Sequence, residues 1–258
     1  MTLYVKCADP TIRKYREDIC QSVLRYFPLA PSDPRLFCFI DDEDCQWLRQ
    51  KFGLANRGVQ GALEAGKEDS LRKYLRQYLL DDAGNLLFDN LIYVHGSTCE
   101  PDVSLAITCS HEMQHFAQHC HNRKLKEVDS LFCRSKELLG FTKWEDHPIE
   151  QEALWKSKTV AIDLYGEASV TQYAEFQIAE SQRCSSASAS AKQKMWDTEA
   201  GRWRYFLNLP AGGSFDLATV TNEIIQKHRK EFQRLISDVY FNDPILASVD
   251  FAAPSWWT

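Results

Sequence analysis

The pattern of apolar and polar positions changes character near Gly96. Before it, short runs dense in β-branched and aromatic residues, LYVKCA at 3–8 and RLFCFID at 35–41, read as strands. Helical spacing fills 11–27, 42–52 and 69–80, with a glycine-bearing loop at 53–66 between the last two. DDAGN at 81–85 is a turn, and NLLFDNLIYVHG leads into a strand over 87–95. Beyond Gly96 the apolar residues recur every three or four positions, the period of a helix with one buried face.

The first of these later helices starts near Pro101, since proline suits the first helical position, and Asn122 is a suitable terminator for it. A second covers 123–138, a third opens at Asp146-His147-Pro148 and stops at Gly166, and a fourth runs over 167–184. SSASASA at 185–191 reads as a flexible connection, followed by a helix through Trp203. PAGGS at 210–214 is a loop, and 216–240 is a long amphipathic helix with His228 on its apolar stripe. The tail, DPILASVDFAAPSWWT, is apolar enough to dock back on the body. The pattern predicts one α+β domain over 1–258, predominantly helical, with a small mixed or antiparallel sheet in its N-terminal part. Its parts are an N-terminal α/β portion (1–96), a middle portion (97–166) and a helical C-terminal portion (167–258).

Chemistry enters with HEMQHFAQHCH at 111–121, which holds four of the seven histidines. On a helix, His111 and His115 share one face, about 6 Å apart along the axis, so both imidazoles can reach one zinc ion. Glu112, next to the first of them, is placed to take a proton from water activated at the metal. Val103, Ala106, Ile107, Ser110, Met113 and Ala117 form one small and apolar arc of this helix, with Leu105 and Phe116 opposite. The two histidines border that arc. The helix is therefore largely buried, and buried imidazoles need partners.

A catalytic zinc takes a third protein ligand. The helix that follows Asp146 offers Glu150 and Glu152, and their phases separate them. Glu150 shares its side with Ala153, Leu154, Ser157, Ala161 and Leu164, the inward side. Glu152 points with Lys156, Thr159 and Asp163, and pairs with Lys156 one turn on. A glutamate on an inward face demands a countercharge, so Glu150 is the expected ligand.

HEMQH, a helical interval, then E-x-x-A on a new helix resembles the zincin metallopeptidases of the glutamate-ligand type, the gluzincins. The resemblance covers 90–166. It implies a zincin-like fold and a zinc-dependent peptidase, with His111, His115 and Glu150 as ligands and Glu112 as general base. It also implies that Ala153 lets its helix approach the first one closely. The strand LIYVHG would be the sheet edge along which a peptide lies. His147, Tyr165, Tyr173 and His228 are the candidates for stabilising an oxyanion.

Other arrangements compete. His111, His115 and His121 also reproduce the ligand spacing of the metzincins, but Gln118 stands where that family turns on a glycine. A left-handed residue other than glycine costs about 1–2 kcal/mol. His119 lies too far along a straight helix to join both other histidines, and His121 suits a helix end. Glu112-Met113-Gln114-His115 is the only E-x-x-H, which argues against a di-iron bundle. The cysteine pair of a nucleobase deaminase is missing. A catalytically inactive zincin-like scaffold used for binding is the non-enzymatic alternative.

Composition narrows the setting. A net charge of −6 and the lack of a basic stripe argue against nucleic acid as a partner. No apolar run approaches the ~20 residues of a membrane span, and the N-terminus lacks the apolar core of a signal peptide. Nine cysteines without a C-x-x-C pair fit free thiols, with Cys109, Cys120 and Cys133 as small core residues. These features point to a cytoplasmic protein whose partner is a peptide or protein substrate.

Overall fold

The computed structural model describes residues 2–5, 9–27, 36–41, 61–65, 90–95, 100–121 and 147–227. Six helices dominate them: α1 (Pro10–Leu24), α2 (Asp102–His121), α3 (Pro148–Tyr165), α4 (Glu167–Ser186), α5 (Ser190–Asn208) and α6 (Leu217–Lys227). The expected α+β class is corrected by this arrangement. The continuous stretches 9–27, 100–121 and 147–227 contain helices and their connections and no strand, so the body of the molecule is a helical fold.

Strand pairing is confined to four isolated pieces, β1 (Thr2–Val5), β2 (Leu36–Asp41), β3 (Gly61–Ala65) and β4 (Asn90–His95), ordered β1-β2-β4-β3. β1 and β4 run parallel to β2, and β3 runs antiparallel to β4. Val5, Ile92 and Val94 of the strands enter the described core, beside eighteen residues from the helices. The apolar runs seen in the sequence encode local extended pairing. They do not reveal how far helices prevail among the described residues. β4 is also flanked on both sides, so LIYVH is not the sheet edge that the resemblance implied. β3 falls inside the stretch expected to be a loop, because GALEA carries little of the apolar alternation that marks a strand.

Local chemistry sets the helix ends. Asp9 caps α1, its side chain accepting from the backbone of Thr11 at 2.7 Å and Ile12 at 3.2 Å, with Pro10 at the first position. α3 begins at Pro148 and ends at Gly166, whose backbone N–H donates to Ile162 at 2.8 Å. Gly166 has φ of 82°, a conformation that glycine adopts without steric cost, and α4 starts at the next residue. The serine-rich segment is not a long connection: α4 runs on to Ser186 and α5 starts at Ser190. Serine and alanine tolerate a helix once neighbours pack on it, and Ser181 and Ser185 are buried. Asp216 caps α6, accepting from the backbone of Thr219 at 2.9 Å. The helices expected at 42–52, 69–80 and 123–138, the rest of the 216–240 helix, His228, Cys133 and the C-terminal tail lie outside the described residues.

α2 is the central element and is buried on every side from Val103 to Met113. One side, Leu105, Ala106, Cys109, Met113 and Phe116, packs with Ile19, Cys20 and Val23 of α1, the strand residues Val5, Ile92 and Val94, and Val160 of α3. The other, Val103 and Ile107, packs with Leu154 and Ala161 of α3, Val170, Tyr173 and Ala174 of α4, and Trp203 and Phe206 of α5. Lys158 crosses from α3 to the end of α5, donating to the carbonyls of Leu207 at 2.7 Å and Leu209 at 2.6 Å. Those are terminal carbonyls that the helix itself leaves without donors. No helix among the described residues is long and apolar enough to cross a membrane.

Candidate metal centre

The two apolar stripes that seal α2 against α3 both end in polar residues at the same level. On α2 the series Val103, Ile107 continues, four residues at a time, to His111 and His115. On α3 the inward series Ala161, Ser157, Leu154 ends at Glu150. Polar groups so placed sit in surroundings made dry by the core beside them. His111, Glu112 and His115 are all less than 10% exposed.

Among the described residues, His111, His115 and Glu150 form the one group of three side chains able to hold a metal ion. Nε2 of His111 lies 3.0 Å from Nε2 of His115. Oε2 of Glu150 is 3.2 Å from the first nitrogen and 3.3 Å from the second. Ligands about 2.0–2.1 Å from a tetrahedral zinc are separated from one another by about 3.3 Å. The three edges match that spacing, and two imidazoles with one carboxylate are donors that zinc accepts. The donor set fits the ion.

The rings of His111 and His115 meet edge to face at 88°, with centroids 4.6 Å apart. This brings two ring nitrogens together rather than stacking the rings. His115 Nδ1 lies 2.9 Å from Oε1 of Gln118. The Gln118 amide nitrogen donates to the Ile149 carbonyl at 3.0 Å and to Oε2 of Glu152 at 2.6 Å.

Burial governs the charges. It pushes His111 down to about 4 and Glu112 up to about 7. Burial pulls His115 downward too, but the Glu150 carboxylate beside it prevails and raises it to about 10. Against the same burial, His115 and His111 hold Glu150 well below the usual carboxylate range. Without a metal, the cluster is one imidazolium–carboxylate pair beside a neutral His111. Arg202 of α5, itself bridged to Glu199 at 3.1 Å, adds a weaker positive field at His111 and Glu112.

Glu150 lies beside His111 and His115, whereas Glu152, expected to pair with Lys156, accepts from the Gln118 amide outside the cluster. α2 stays helical through Gln118 to His121. His121 is therefore about 15 Å along the axis from His111, and the chain makes no metzincin turn. Tyr165 sits at the far end of α3, about 22 Å along the axis from Glu150. Tyr173 donates to the Ser104 hydroxyl at 2.5 Å, nearly two turns of α2 before His111. His147 occupies the N-cap position of α3, buried and without a side-chain capping hydrogen bond, three residues before Glu150. The sequence reading missed Gln118 as a partner of His115, though its i+3 spacing from that histidine was a usable signal. It missed Arg202 because nothing in the sequence pairs α5 with the motif. Cys20 and Cys109 are wholly buried, and Cys120 and Cys184 are partly so.

No protein-family model matches the chain, and no curated protein or solved structure matches it.

Proposed function

We propose that the protein is a zinc-dependent peptidase of the gluzincin kind, acting on a peptide or protein substrate in the cytoplasm. The observation that carries this reading is the convergence of His111 Nε2, His115 Nε2 and Glu150 Oε2. Beside it, on the same helix turn, lies the buried carboxyl of Glu112. Zinc held by these three residues supplies Lewis acidity at a scissile carbonyl and at water. Glu112 takes a proton from the attacking water and hands it to the leaving amine. Burial raises its carboxyl in the metal-free protein, which favours a group that holds and returns a proton. The Leu154 and Ile107 turns next to the site keep it dry, which strengthens each of these interactions.

A binding scaffold is the second reading, supported by the imidazolium–carboxylate pair that His115 and Glu150 form without a metal. The two readings part in one experiment. The zinc-supplemented protein is incubated with a mixed peptide library, then with a chelator, then with added zinc. Cleavage that stops with the chelator and returns with zinc supports the peptidase. Zinc uptake without cleavage of any peptide favours the scaffold.

A further inference from the structure

We infer that Gln118 is the positioning residue of the centre, fixing the tautomer of His115 and tying the Glu150 turn of α3 to the histidine helix. The inference rests on the metal reading and goes beyond it, because a metal could be held without such a device.

The assignment follows from what each atom can do. The Ile149 carbonyl can only accept, so the nitrogen end of the Gln118 amide faces it at 3.0 Å. The same nitrogen meets Oε2 of Glu152 at 2.6 Å. The oxygen end must then face His115, where it lies 2.9 Å from Nδ1. An amide oxygen carries no hydrogen, so Nδ1 of His115 is the donor. In the neutral ring this leaves a bare lone pair on Nε2, aimed at His111 Nε2 and Glu150 Oε2. With Nδ1 carrying its hydrogen, Nε2 is the nitrogen that can offer its lone pair to a metal ion.

The second half of the clamp is mechanical. Ile149 immediately precedes Glu150, so one side chain ties the backbone beside the carboxylate ligand to the helix that carries both imidazoles. Gln118 is 5% exposed, and it reaches both elements without water between. Orienting partners of this kind are typically worth about 10–100-fold in metal affinity. Glu152, the rival third ligand, has a role here as an acceptor for the Gln118 amide.

Two substitutions separate the halves. Gln118→Glu keeps an acceptor for His115 Nδ1 and loses the amide donors to Ile149 and Glu152. Gln118→Leu loses both. Zinc affinity is measured by chelator competition, and melting temperature on the metal-free proteins. Both variants should melt below wild type. Gln118→Leu should bind zinc about 10–100-fold more weakly, while Gln118→Glu stays within about threefold of wild type. Equal losses of affinity in both variants, or wild-type affinity in Gln118→Leu, would overturn the positioning role and leave the metal centre standing. A wild-type protein that takes up no zinc would sink both.

Discussion

Oε2 of Glu150 lies 3.2 Å from Nε2 of His111, although the two residues belong to different helices. α2 delivers its ligands from the two turns at and just past its middle, and α3 delivers its own from its first turn. The level at which the three meet is set by the Val103–Ile107 and Ala161–Leu154 packing below it. The site is thus a consequence of how two apolar stripes align.

If Glu150 is the ligand and Glu152 its neighbour's acceptor, the two glutamines will differ. Glu150→Gln should weaken zinc binding by more than the ~10–100-fold typical of an orienting partner. Glu152→Gln should cost less than that, and His121→Ala should leave affinity unchanged. Zinc stoichiometry after dialysis against a weak chelator ranks the three. Loss of zinc in His121→Ala with retention in Glu150→Gln would show a different ligand set.

Glu112→Gln removes the proton acceptor without touching the three ligating atoms. Zinc content should match wild type, and peptide turnover should fall by about 10²–10⁴-fold. Turnover equal to wild type would remove Glu112 from the reaction.

Ala153 is wholly buried one turn beyond Glu150 on the same side of α3. Ala153→Leu should cost about 1–3 kcal/mol through overpacking, and should weaken zinc binding by pushing Glu150 outward. Chemical denaturation and zinc titration of the same preparation measure both effects. A stable variant with intact zinc binding would show that α3 does not need a small residue there.

Lys158 lies far down α3 from the centre and binds the terminal carbonyls of α5. Lys158→Met keeps most of the apolar stem and loses charged hydrogen bonds, worth about 1.5–3 kcal/mol for a typical one. Denaturant unfolding should show a loss of that size with zinc affinity unchanged. A drop in zinc affinity would mean that α5 helps to shape the site.

How far the sequence reveals this molecule depends on the kind of information each feature needs. The inward sides of α2 and α3 that carry His111, His115 and Glu150 are readable because helical phase is local: a residue's side of its own helix follows from its neighbours. The ends of α3 were readable for the same reason, since Pro148 and Gly166 act on their own backbone. The weight of sheet against helix was not, because LYVKCA and LIYVH look alike whether they form a main layer or a minor one. The length of α4 was misjudged because its buried serines owe their helical state to packing from α5. The sequence marks Gln118 only as a residue that does not make a glycine's turn. Its hydrogen bonds run to a residue on another helix, which periodicity does not report.

The most direct test of the central claim is X-ray absorption at the zinc edge of the purified, zinc-loaded protein. The account expects one zinc per chain with only nitrogen and oxygen neighbours at about 2.0–2.1 Å, two of them imidazoles. Sulfur neighbours at about 2.3 Å, or a spectrum with no fixed imidazole contribution, would contradict a centre built from His111, His115 and Glu150.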